Sequence, residues 1–418
     1  MASAAAGTAG TAGTAAAGTA ASAAGKFSAA KATVTAVLAK VTSMDLTSTS
    51  AHLIGATLTV TFIVILAAIL VYKTKLKDAN DDHMMNVLYP KIGENIVSIN
   101  DYEEQFSYLL RDYYIKTSYN CCCSGDFTND YVSTNALITV IAQGARCLDF
   151  EIYSLDGVPV ISASSQSEYT MKETINSISL SEAFDIIIEN AFSAPPKCPN
   201  NSDPLLLCLR IKSNNIMVFN EIAKLMEKKL ASRLLDSRYG YAYNGDNLGR
   251  VKLSNFMGKI IIIIDETPGT MGAKAIANEV YKKSALYEYV NVVIPNPTSK
   301  KTFADVADPK PNLGDVTEYS KKNLVFVLPE RSSKSENSEN ALTAHTQGHQ
   351  LVAMSFQSGD AAMVAYNTKF SESRHAFILK AVHLRYTPLT VDAPTPVDPT
   401  KTLNSEMSGE TGVGTYAI

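Results

Sequence analysis

Histidine and cysteine are the side chains best equipped for proton transfer, nucleophilic attack or metal binding. The 418-residue chain carries six of each, and their spacing limits what they can do. No histidine occurs between His83 and His345, so the long central stretch offers no imidazole to work as a general base near neutral pH. His345 and His349 lie beside one apolar run, His375 and His383 beside another, and all four read as structural or surface groups. Cys121, Cys122 and Cys123 are consecutive, and nothing like a CxxC couplet pairs with a second one. A zinc site is not indicated. Burial at a strand end is the expected role of these three, with palmitoylation as the alternative. One glycosylation sequon, Asn200-Asn201-Ser202, matters only if that part of the chain faces a glycosylating compartment.

The elements that would position such groups follow from hydropathy. With 46% hydrophobic and 19% charged residues, the chain can bury one large core. Its formal charge of -4 gives no general attraction to nucleic acid or to anionic lipid. Membrane contact is expected instead from Leu53 to Tyr72, LIGATLTVTFIVILAAILVY, twenty uncharged residues and enough to cross a hydrocarbon core of roughly 30 Å as a helix. Lys73, Lys75 and Lys77 follow it, and only Lys40 closely precedes it. That bias places the C-terminal side in the cytosol, where six cysteines stay reduced thiols. Residues 1–52 are mostly Ala, Thr, Gly and Ser with one acid, Asp45, and the segment after Arg385 is rich in Pro, Ser, Thr and Gly. Neither can bury a core.

Between them, over residues 85 to 390, short apolar runs alternate with amphipathic stretches. Ala136 to Ala142, Leu205 to Ile211, Gly258 to Ile264, Asn291 to Ile294, Leu324 to Leu328 and Leu351 to Phe356 read as strands. Ser179 to Phe192 and Asn220 to Leu235 read as helices. Ile260 to Ile264, five isoleucines in succession, fits a strand covered on both faces. Periodicity thus predicts a single α/β domain.

Several strings say more. Ile115 to Cys123 reads IKTSYNCCC; Arg146-Cys147-Leu148-Asp149-Phe150-Glu151 is followed by Asp156-Gly157 and Pro159-Val160-Ile161, then by Ser162-Ala163-Ser164-Ser165. Cys208-Leu209-Arg210 ends one apolar run, and Ile263 and Asp265 close another. Farther on stand Gly348-His349-Gln350-Leu351-Val352-Ala353-Met354-Ser355-Phe356-Gln357, Tyr366, Phe370, and Ile378-Leu379-Lys380 through Leu384-Arg385. In this order the strings resemble the X and Y halves of the phosphoinositide-specific phospholipase C barrel, from Tyr114 to Asp265 and from Leu324 to Arg385. The family's Ser-Ser-His-Asn-Thr-Tyr becomes Thr117-Ser118-Tyr119-Asn120, its Arg-Cys-Val-Glu-Leu-Asp becomes the Arg146 string, and its Tyr-His-Gly-His-Thr leaves Ala163 where the second histidine belongs.

This resemblance implies a distorted (β/α)8 TIM-type barrel with its site at the C-terminal strand ends, preceded by the transmembrane helix. The expected organisation is a low-complexity arm over 1–52, the span over 53–72, an X-like half over 85–270, a connection over 271–322, a Y-like half over 323–390 and a disordered tail over 391–418. It also implies a calcium-dependent phosphodiesterase chemistry that this chain cannot follow. Tyr119 and Ala163 occupy the two histidine positions. Asn120, Asp149 and Glu151 are residual calcium-ligand positions, while Arg210 replaces the fourth ligand and is expected to pair with Asp149 or Glu151 in the ion's stead. Ile263 and Asp265 replace phosphate-binding lysines. Glu336-Asn337-Ser338-Glu339-Asn340 replaces an inositol-contacting segment, Tyr366 is a further degenerate ligand position, and a doubly phosphorylated headgroup is expected to be repelled. The reading is a membrane-anchored pseudoenzyme with no cofactor, with a binding or structural role for a lipid headgroup or protein partner at the barrel mouth. Alternatives are an active, calcium-dependent hydrolase of phosphatidylinositol lipids with a rewired acid and base, or a pure lipid- or protein-binding module.

Overall fold

The computed structural model describes residues 48–93, 95–100, 102–166, 171–266 and 280–387. The expected low-complexity arm, up to residue 47, and the tail expected over 391–418 lie outside the described residues. The chain divides into two compact units, Met1–Leu76 and Lys77–Ile418.

Helix α1 spans Ser48–Leu88 and includes the segment Leu53 to Tyr72. Val60, Phe62, Ile63, Val64, Leu70 and Val71 are all exposed on it. Its threonines hide their polarity against their own backbone: the hydroxyls of Thr57, Thr59 and Thr61 donate to the carbonyls of Leu53, Gly55 and Thr57 at 2.9, 2.9 and 2.8 Å. It is the one helix among the described residues long and apolar enough to cross a membrane. Within the second unit, the last part of α1 is held by charge, with the Lys77 amine 3.0 Å from the Asp130 carboxylate and the Ser133 hydroxyl donating to Asp82 at 2.5 Å.

The barrel is built from eight parallel strands: β1 (Tyr113–Ser118), β2 (Cys147–Leu155), β5 (Leu205–Lys212), β6 (Ile260–Asp265), β7 (Val292–Ile294), β8 (Ser299–Thr302), β9 (Val325–Leu328) and β10 (Leu351–Met354). They hydrogen-bond in chain order, and β10 pairs β1. Among the described residues only the β7–β8 seam lacks a pairing, so the barrel is nearly closed. An antiparallel extension, β3 (Val158–Ile161) and β4 (Ile178–Ser179), continues from β2, and β11 (Phe377–Leu379) pairs antiparallel with β1. Around the strands lie α2 (Thr134–Ala142), α3 (Leu180–Ala191), α4 (Ile216–Leu230), α5 (Phe303–Ala307), α6 (Leu313–Lys322), α7 (Ala341–Thr346) and α8 (Ala361–Ser373).

Two sequence expectations change. Ala136 to Ala142, read as a strand, is the body of α2, capped by the Ser133 side chain accepting from the Asn135 amide. Its buried positions Ala136, Leu137, Val140 and Ile141 follow the helical i, i+4 spacing, which a short all-apolar run conceals. The stretch 271–322, read as a connection between halves, contributes β7, where a strand was expected at Asn291 to Ile294, and also β8.

Burial settles smaller questions. Cys121, Cys122 and Cys123 are buried free thiols, closed to acylation in this fold. Asn200 of the sequon is fully buried, accepting from the Arg146 guanidinium at 3.0 Å. Tyr366, expected among the ligand positions, faces no opening. It is buried on α8, where its hydroxyl accepts from the Thr117 amide at 2.8 Å and donates to the Val352 carbonyl at 3.0 Å, bridging β1 and β10. Tyr366→Phe leaves that amide without an acceptor and is expected to cost about 1–3 kcal/mol, measured by urea denaturation; an unchanged midpoint would show that the bridge carries no load.

Candidate functional site

The site lies at the C-terminal ends of the X-half strands, and strand register explains which side chains meet there. Side chains on a strand alternate between faces, so Asp149 and Glu151 on β2 project to the same side. Parallel pairing sets Asp149 beside Cys208, Glu151 beside Arg210, and Cys208 beside Ile263, which places all of these on the barrel's inner face. β1 delivers Tyr119 and Asn120 just past its last residue. There the chain turns with Asn120 at φ 41°, an excursion that asparagine tolerates better than most residues, and the Asn120 amide donates to Asp149 Oδ2 at 3.0 Å.

Arg210 fills the centre. Its Nε donates to Asp149 Oδ1 at 2.8 Å and one terminal nitrogen to Asp149 Oδ2 at 2.7 Å, a bidentate pair. The same terminal nitrogen reaches Asn120 Oδ1 at 2.6 Å, and the other lies 3.3 Å from Glu151 Oε1. Tyr119 covers the planar cation, with the guanidinium carbon 4.8 Å from its ring centre, and Phe127 packs edge-on against that ring at 5.4 Å. Asp149 and Glu151 are fully buried and Arg210 is 4% exposed. Asn120, Asp149 and Glu151 therefore spend oxygens on Arg210.

Two cations that sequence reasoning passed over complete the cluster. Lys212 stands 3.3 Å from Glu151 Oε1, and Arg331, just after β9, lies 2.6 Å from the same oxygen and donates to the Ser164 carbonyl at 3.1 Å. Lys212 was legible in principle: two residues beyond Arg210 on one strand, it must share its face. Arg331 sits at the end of a barrel strand, where site residues of such folds collect. With Arg210, Lys212 and Arg331 against Asp149 and Glu151, the inner mouth carries one more positive charge than negative.

The remaining expected positions are dispersed. Ala163 is fully buried and offers only its backbone, accepting from the Glu173 amide at 2.9 Å. Ile263 is a buried wall residue. Asp265 pairs with Lys300 at 2.6 Å, binding β6 to β8. Asn337 is spent on the Ser355 carbonyl at 3.0 Å and on Asp360, and Glu336 is exposed. His345 and His349 are buried, and burial pushes His345 well below the usual imidazole range and His349 down to about 3; neither can shuttle protons at neutral pH.

Residues 106–265 match the family model for the phosphatidylinositol-specific phospholipase C X domain. The stretch from β1 to β6 thus carries the features of that X-domain family. Among solved structures, PLC21 of L. pealei is similar at a TM-score of 0.52 and 18% identity, covering 67% of this chain and 38% of that one. PLC21 of S. officinalis is similar at 0.53 and 18%, covering 70% of this chain and 39% of that one. At such identity the likeness is one of fold, and the chain spans about two fifths of the length of either protein. No match was found among curated proteins.

Within this phospholipase C X region the electrostatics are self-consistent. Burial alone would raise the Glu151 carboxyl, but Arg210, Arg331 and Lys212 together hold it below its ordinary value of 4.5. Burial disfavours the Arg210 cation, and Asp149, Tyr119 and Glu151 nevertheless raise its affinity for the proton. Burial raises the Tyr119 phenol despite Arg210 and Arg331. Removing the central cation leaves buried carboxylates uncompensated: Arg210→Met is expected to cost about 3–5 kcal/mol, read by chemical denaturation. Because the folded pKa of Glu151 is depressed, its contribution is present above the unfolded value and lost as pH falls through the folded one. The stability gap between the native protein and Glu151→Gln should accordingly narrow as pH drops below about 4.5; a gap independent of pH would contradict the charge cluster.

Proposed function

We propose that this protein is a membrane-anchored, phospholipase C-like pseudoenzyme in which the Arg210 guanidinium takes the calcium ion's place. The observation that carries the reading is the set of four contacts from Arg210 to Asp149, Asn120 and Glu151. A guanidinium presents donors only, so it satisfies the oxygens a hard cation would need and cannot itself bind a substrate hydroxyl as a metal does. The donor set left at the mouth does not fit calcium.

Acid–base chemistry is absent on the same ground. Loss of one positioned acid or base typically removes about 10²- to 10⁴-fold in rate. Here one histidine position holds a phenol locked over a cation and the other a methyl group. The fold persists through ion pairing and packing, which suits a binding or structural role.

Anchoring rests on α1, whose apolar stretch is followed by Lys73, Lys75 and Lys77. By the positive-inside bias the barrel belongs on the cytosolic side, consistent with six free cysteines. The test is hydrolysis of phosphatidylinositol and its bisphosphate in mixed micelles by the full-length protein, with and without calcium, beside Asp149→Asn and a protein-free control. No product above the controls is expected. Calcium-dependent turnover lost in Asp149→Asn would instead establish a working site with a rewired acid and base.

A further inference from the structure

A cavity of about 540 Å³ lies away from the barrel mouth, between residues 88–92, Asn95, α8 and the outer face of β1. That is within the range of small-molecule sites, roughly 300–1,000 Å³. Tyr89, Ile92 and Met363 give it an apolar wall, and Gln143 and Asn367 a polar one. At its inner end is Lys116, which alternates with the inward-facing Ile115 and Thr117 and therefore points outward from the barrel.

Lys116 is 1% exposed. Its amine donates to the Gln143 carbonyl at 2.8 Å and lies over the rings of Phe356 and Phe370, 5.7 and 6.0 Å from their centres. Among the described residues no carboxylate lies within ion-pair distance of it. A buried amine without a counter-ion is costly to keep charged, and its hydrogen bond to the carbonyl that ends α2 can be made by the neutral amine as well. A second polar atom at the cavity is also unspent: Asn367 Oδ1 is buried without a hydrogen-bond partner.

We propose that this cavity is a small-molecule site in which the Lys116 amine condenses reversibly with the carbonyl carbon of an aldehyde or ketone bearing a short apolar tail. The nitrogen lone pair attacks the carbonyl carbon, the resulting carbinolamine loses water, and a C=N bond replaces the C=O bond; hydrolysis returns both partners. Asn367 Oδ1 is available to accept from the hydroxyl of that intermediate. The nucleophile must be the neutral amine, and burial brings Lys116 down to about 7. An exposed lysine near 10.4 is neutral in only about one molecule in 10³ at neutral pH. The site is independent of the Arg210 cluster and of the reading given to it.

The test uses the full-length protein in detergent at pH 7, with butanal as probe and cyanoborohydride to reduce any imine to a stable secondary amine. Modification is mapped residue by residue by peptide mass spectrometry. Lys116 is expected to be labelled at least tenfold faster than the exposed lysines, and several-fold more slowly in Asn367→Leu. The same reaction in guanidinium chloride, where Lys116 should react like any other lysine, shows that its peptide is detected. Labelling of Lys116 in the folded protein at or below the rate of the exposed lysines overturns the proposal.

Discussion

Everything at the barrel mouth depends on one buried guanidinium. Asp149 and Glu151 are fully excluded from water, and two ionised carboxylates at that depth are tolerable only with a cation between them. Arg210 meets that requirement with a planar fork whose geometry matches Asp149 in bidentate fashion, and it has nitrogen left for Asn120 and Glu151. The departures from the family pattern then belong together. At the position proposed for a fourth ligand there is a permanent cation, and Tyr119 lies over it. Lys212 and Arg331 tighten the arrangement from the side of Glu151.

The wider fold keeps this cluster in register. The pairing of β2 with β5 runs unbroken from Cys147 beside Leu206 to Tyr153 beside Lys212, so Glu151, Arg210 and Lys212 cannot drift relative to one another. Buried polar groups elsewhere are likewise spent on architecture. Tyr366 joins β1 to β10, the Gln350 side chain reaches the carbonyls of Arg111 and Ser320 at 2.8 Å, and Arg146 ties β2 to the end of α3. Lys116 differs in adjoining a cavity while it is buried without a carboxylate partner among the described residues.

Much of this was legible in the sequence. The isoleucine run of β6 and the apolar runs of β5, β9 and β10 announced buried parallel strands, and two amphipathic stretches became α3 and α4. Arg210 pairing with the acids followed from its motif position and the cost of leaving carboxylates bare. What was hidden has physical causes. The apolar run in α2 is too short for its period to distinguish helix from strand. β8, Ser299–Thr302, is only four residues long and polar, with Lys300 paired to Asp265. Arg331 acts from a loop after β9, and sequence spacing does not reveal where a loop side chain lands. Tyr366 was misplaced because its motif match gave residue type without direction.

The central claim is that Arg210 occupies the ion's position, and calorimetric titration of calcium into the full-length protein, beside Arg210→Glu, addresses it most directly. The account predicts no binding heat at micromolar to millimolar calcium for the native protein, and binding with thermal stabilisation by calcium once glutamate supplies a fourth oxygen ligand. Micromolar binding by the native protein, lost on substitution of Asp149, would contradict it.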